Sequence, residues 1–198
     1  LGKGDVYLKL DNLQPSGSFK IRGIGQTCLQ AKQSGATTIV GSSGGNAGKA
    51  MAYAAKKLNL KAVLFIPTST PQMMIEKIKV SNRNSWTYIV KIKRLEYAFD
   101  CTALILSKYL GEGAEVHVIG ANWNEANEHA TEYMKQAPEA FFVHPFNQPS
   151  SWNGHSTIVD EIKSQLSVDF NENREPAVIV TVAGGGGLAI GKPYIDSK

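Results

Sequence analysis

The chain has 198 residues, 42% hydrophobic and 19% charged, enough apolar material for one large or two small globular domains. Of its formal charge of +4, +3 gathers in residues 80–110, where Arg83, Lys91, Lys93, Arg94 and Lys108 meet only Glu96 and Asp100; no basic stripe interleaved with aromatics lies elsewhere, which disfavours nucleic acid as a partner. No apolar run approaches the roughly 18 residues of a membrane span, no signal peptide is read, and two cysteines, Cys28 and Cys101, imply neither a disulfide framework nor a zinc site, so a reducing, cytoplasmic setting is expected.

In chain order, residues 6–10 alternate and start on β-branched and aromatic side chains, predicting a short strand before a turn over 12–17. Ile21, Ile24, Cys28 and Ala31 recur at helical spacing until Ser34 and Gly35 stop the pattern. Residues 37–40 predict a strand that runs into a glycine-rich loop, 41–48, and Ala47, Ala50, Met51, Ala54, Ala55 and Leu58 then mark a helix with one apolar face. A strand over 62–66, a helix over 71–79, a strand over 115–119, a helix over 123–136, a strand over 141–143, a helix over 151–166 and a strand over 177–182 follow. Strands alternating with helices of this length predict an α/β chain with a parallel sheet. Residues 80–110 lack Gly and Pro, hold no sustained period and stand outside the rhythm.

Three stretches carry candidate chemistry. Lys20 opens a helix behind the turn-forming Pro15, Ser16 and Gly17 and beside Phe19; partial burial there would lower the pKa of its amine and make it a nucleophile or Schiff-base former. The loop 41–48, GSSGGNAG, lies between a strand and a helix, where open α/β sheets bind ligands. It fails the nucleotide registers, because Ser43 stands where a Walker or dinucleotide loop needs glycine. Asn46 in it is either a helix cap or a ligand contact, since its amide both donates and accepts. Gly184, Gly185, Gly186 and Gly187 follow the strand over 177–182 directly and could present successive N–H groups to an anion such as phosphate. His117, His129, His144 and His155 fit no metal spacing, no metal is expected, and these histidines, with Trp123 and Trp152, read as structural.

One lysine, an asparagine loop and a tetraglycine loop in that order resemble the pyridoxal-phosphate enzymes of fold type II, the tryptophan synthase β-subunit-like group. More narrowly, PSGSFKIRG, SSGGNAG, the His144 to His155 pattern HPF-xx-P-xx-W-xGH and AGGGGL resemble the serine/threonine dehydratases, eukaryotic and fungal L-serine ammonia-lyases among them. The resemblance implies pyridoxal 5′-phosphate as cofactor, held as an internal aldimine by Lys20. Phe19 would pack on its ring, Asn46 would bond its 3-hydroxyl, and Gly184, Gly185, Gly186, Gly187 and Leu188 would cradle its phosphate. Ser43, Gly44, Gly45, Asn46 and Ala47 would hold an amino-acid substrate. The implied activity is deamination of L-serine or L-threonine to a 2-oxo acid and ammonia by a parent protein expected to be homodimeric. The alternatives are an inactive truncated fragment or another fold type II enzyme such as threonine synthase.

The resemblance also implies two α/β domains: 14–143, with the lysine and the asparagine loop, and a partial cofactor domain of 1–13 plus 144–198. Family members pass directly from a helix like 71–79 to a segment like GAEVHVIG, so 80–110 is expected to be an insertion. Its junctions can be encoded as splice sites, and it is read as a translated intron in a truncated chain.

Overall fold

A computed structural model describes residues 5–79, 89–92, 113–170 and 175–191, with only the backbone path given for 89–92. The elements in order are β1 (Val6–Lys9), a 3-10 turn (Asp11–Leu13), α1 (Lys20–Gln33), β2 (Thr38–Ser42), α2 (Asn46–Leu58), β3 (Lys61–Ile66), α3 (Gln72–Lys79), β4 (Ile89–Ile92), β5 (Glu115–Val118), α4 (Trp123–Gln136), β6 (Ala140–Phe142), α5 (Pro149–Phe170) and α6 (Gly187–Gly191).

Four strands form a parallel sheet in the order β5-β3-β2-β6, with Thr38 opposite both Lys61 and Ala140. β2 and β3 are buried nearly end to end, as the β-branched and aliphatic runs of a sheet covered on both faces require. On one face Ile24, Met51, Leu64, Ile66, Ile78 and Val143 form a core with no exposed area; each such side chain contributes about 1.5–3 kcal/mol through its burial. The other face holds Val40, Val63 and Phe65 under Ala126 and Ala130 of α4.

Helix ends follow local chemistry. Asn122 caps α4, its side chain accepting from the Glu125 amide, while the Glu125 carboxylate accepts from the Ala121 amide and the Asn122 side chain. α2 ends on Asn59 in the left-handed region (φ 53°), with its amide returned to Ala55 and Lys56. Pro149 opens α5, where its missing N–H costs nothing.

Two elements differ from the sequence reading. Residues 177–182 form no strand, and Val178, Val180 and Val182 are 76%, 90% and 85% exposed. A strand exists only by pairing, and no described strand runs beside this segment. Within the region that showed no period, β4 pairs antiparallel with β1, Val6 opposite Ile92. No described helix is long and apolar enough to cross a membrane.

Candidate active site

The sheet order defines one switch point: the chain leaves β2 toward β3 on one side, while β6 lies on the other. The loop after β2 and the segment after β6 therefore stand side by side at the carboxyl end of the sheet, the edge at which open α/β sheets bind ligands.

Lys20 reaches the segment after β6 from the first turn of α1. The turn before it closes through the Gly17 amide to the Gln14 carbonyl at 2.6 Å, with Gly17 at φ 78°, a value that favours glycine. The Lys20 Nζ donates to the Pro145 carbonyl, just past β6, at 2.8 Å. It lies 5.4 Å from the Phe19 ring centroid and 5.2 Å from that of Phe146, and partial burial lowers its pKa. The first turn of α1 is held down by Arg22, whose guanidinium donates to both Asp11 oxygens at 2.8 and 2.9 Å and pairs with Glu161 of α5 at 2.6 Å. Burial opposes the Arg22 charge, but these carboxylates outweigh it.

Phe146 is the hub. A Cβ built on Gly185 would fall 2.7 Å from the Phe146 Cγ, and one on Gly187 would fall 3.1 Å from its carbonyl oxygen. The same carbonyl accepts from the Trp152 indole at 3.0 Å. Trp123, 5.8 Å away ring to ring, donates its indole N–H to the Ser42 carbonyl at the end of β2 at 2.8 Å. His144 lies 5.1 Å from Phe146, and its Nδ1 accepts from the amides of Asn147 (2.9 Å) and Phe146 (3.3 Å), so the neutral ring carries its proton on Nε2. Burial and the nearby Lys20 cation lower the His144 pKa.

Of the sequence-predicted residues, Lys20, Gly185 and Gly187 therefore gather around Phe146, and Phe19 lies beside the Lys20 amine. Gly184 faces open space, Gly186 sits at φ 79°, and Leu188 is half-buried in α6. Ser43, Gly44, Gly45, Asn46 and Ala47 stand at the carboxyl end of β2. There the Gly45 amide donates to Ser43 Oγ at 3.2 Å, Gly44 packs on Thr70, and a Cβ on Gly48 would collide with the Ser43 carbonyl at 2.1 Å. Asn46 is not the cap of α2; Gly45 takes that position and Asn46 is exposed in the first turn. Among the described residues no hydrogen bond joins Asn46 to Lys20 or to the tetraglycine turn.

Four residues read from sequence as structural, or given no role, line the site: Trp123, Phe146, Trp152 and His155. The spacing of the pattern starting at His144 was the available signal, since it places an aromatic hub, an indole donor and a buried imidazole on one turn and the helix it opens.

The residues present fit a phosphorylated pyridine aldehyde. A partly buried amine of lowered pKa faces aromatic rings, and glycines that a Cβ would jam against Phe146 leave their backbone close to it.

A family model described as pyridoxal-phosphate dependent enzyme matches residues 1–91 and 101–192, so the match runs through part of the stretch expected to be an insertion. The chain is 40% identical over 192 residues to an L-serine dehydratase of Dictyostelium discoideum, covering 94% of this chain and 45% of that protein. It is 38% identical over 186 residues to a human L-serine dehydratase/L-threonine deaminase, at 94% and 45% coverage. The crystal structure of a fungal L-serine ammonia-lyase from Rhizomucor miehei superposes with a TM-score of 0.70 at 27% identity, covering 98% of this chain and 54% of that one. The chain spans about half the length of the curated relatives it matches. With the lysine, the glycine turn and the parallel sheet in place, the chain belongs to the pyridoxal-phosphate dependent enzyme family of fold type II.

Proposed function

We propose that this chain carries the Schiff-base lysine and the phosphate-binding turn of a pyridoxal-phosphate dependent L-serine/L-threonine dehydratase, which releases ammonia and a 2-oxo acid. The supporting observation is the sharing of one ring, Phe146, by the Lys20 amine and the tetraglycine turn.

In this reading the cofactor supplies an electron sink for the bond broken at the substrate Cα. The chain does the rest. Lys20 carries the cofactor and, with its pKa lowered by burial, has more neutral amine available to take the Cα proton at a given pH than a solvated lysine would. Phe19 and Phe146 exclude water from that amine. The backbone of Gly184, Gly185, Gly186, Gly187 and Leu188 holds the phosphate through N–H groups. Asn46 supplies an amide to the ring oxygen, and Ser43, Gly44, Gly45 and Ala47 present a hydroxyl and N–H groups at the start of α2 to the substrate carboxylate. The reading extends to a division at residues 14–143 against 1–13 plus 144–198, a homodimeric parent and a cytoplasmic setting, all carried by the motif resemblance.

The experiment is product analysis of the purified chain with pyridoxal phosphate and L-serine or L-threonine. Pyruvate or 2-oxobutanoate with equal ammonia, lost in Lys20→Ala, supports the reading; a substituted amino acid as product indicates another activity of the fold, and no turnover with either substrate indicates an inactive fragment.

A further inference from the structure

His155 is the most constrained polar side chain near Lys20. It is fully buried, and its Nδ1 has no hydrogen-bond partner. Its Nε2 meets the Ser151 hydroxyl at 3.4 Å, within the same helix. Whichever tautomer forms, one ring nitrogen stays unsatisfied, a cost that a purely structural position would avoid by carrying an apolar residue.

Its neighbours come from both halves of the candidate site. The ring lies 5.3 Å from that of Phe19, directly before Lys20. A Cβ on Gly23, one turn along α1, would fall 2.5 Å from its Nε2; one on Gly187 would fall 3.5 Å from its Cδ2, and one on Gly191 2.9 Å from its Cβ. The imidazole therefore fills the space between the start of the Lys20 helix and the end of the tetraglycine turn, both of which are glycine where they touch it. The charged groups acting on it are Lys20 and Arg22, which with burial keep it neutral, and Asp11, which opposes them and is itself bonded by Arg22.

We propose that His155 is a positioning residue, a neutral spacer that sets the tetraglycine turn against the Lys20 helix so that a phosphate held by the turn and an aldehyde held by Lys20 are in register. The proposal rests on the cofactor reading above.

The test compares pyridoxal phosphate with pyridoxal, which lacks the phosphate, by absorbance titration of wild type, His155→Ala, His155→Gln and Ser151→Ala, with borohydride trapping to confirm attachment at Lys20. Wild type should prefer pyridoxal phosphate. His155→Ala should weaken pyridoxal phosphate about tenfold and leave pyridoxal unchanged. His155→Gln, which refills the space and keeps a partner for Ser151, should restore most of the preference. Ser151→Ala, which frees the ring without removing it, should shift the preference in the same direction as His155→Ala, and it decides the matter if His155→Ala fails to fold. A preference unchanged in the variants that fold, or both ligands weakened by the same factor, overturns the positioning role. Absence of any adduct at Lys20 in wild type overturns the cofactor reading, and this inference with it.

Discussion

The Lys20 amine lies 5.2 Å from the centroid of the Phe146 ring, and that ring is also what a side chain on Gly185 would strike at 2.7 Å. Gly185→Ala is expected to push Phe146 toward the amine and reduce cofactor affinity by at least about tenfold, the scale of an overpacked contact. Gly25→Ala, on α1 outside the turn, meets only Ile21 at 3.8 Å and should bind as wild type. Parallel titrations with pyridoxal phosphate check the contrast; equal effects would show that Phe146 does not couple the two.

Helices α1 and α5 cross on glycines. A Cβ on Gly154 would fall 2.2 Å from the Arg22 carbonyl, and one on Gly23 would fall 2.4 Å from the Ser151 hydroxyl, whereas one on Gly25 finds only Ile21 at 3.8 Å. Gly154→Ala should destabilise by about 1–3 kcal/mol and Gly25→Ala should stabilise by up to about 1 kcal/mol through helix propensity, read as shifts of the urea midpoint.

Acid should loosen the fold before it reaches the carboxylates. Burial, with Lys20 and Arg22 nearby, depresses the His155 pKa to about 4 from 6.5. Between those values the unfolded chain binds a proton that the folded one does not. The contribution is therefore complete above pH 6.5 and is lost as pH falls toward 4, a change of about 3 kcal/mol. His144, also depressed by burial and Lys20, adds in the same direction. Unfolding midpoints measured across this window should fall in wild type and stay flatter in His155→Gln.

Residues 79 and 113 meet. A side chain on Gly113 would collide with the Lys79 carbonyl, so α3 and β5 come together where the chain could pass directly. Removal of residues 80–112 should leave the far-ultraviolet circular dichroism per residue nearly unchanged and retain cooperative unfolding, although β1 loses its partner β4. Loss of cooperative unfolding would show that the stretch belongs to the core. A mature transcript that keeps residues 80–110 would defeat their reading as an intron.

Much of this architecture was legible because it is set locally. α4 runs from Trp123 to Gln136 as its pattern indicated, since Asn122 and Glu125 close its first turn. β2, α2 and β3 declare themselves by an apolar run, a one-sided helix and a second apolar run. What was not legible depends on neighbours. Residues 177–182 have strand composition but no described partner, while β4 is a strand because β1 lies beside it. At the site, Lys20 stood out by its turn and its motif, but the place of Phe146 appears only once the Lys20 amine and Gly185 are both found against its ring. His155 reads as a core histidine until its neighbours prove to be the glycines of two distant segments.

Lys20 is proposed above as the cofactor lysine. Borohydride reduction of the chain with pyridoxal phosphate, followed by peptide mass mapping, measures it directly. A single reduced phosphopyridoxyl group on the peptide containing Lys20 is expected; an unmodified Lys20, or label spread over exposed lysines such as Lys61 and Lys135, would rule that role out.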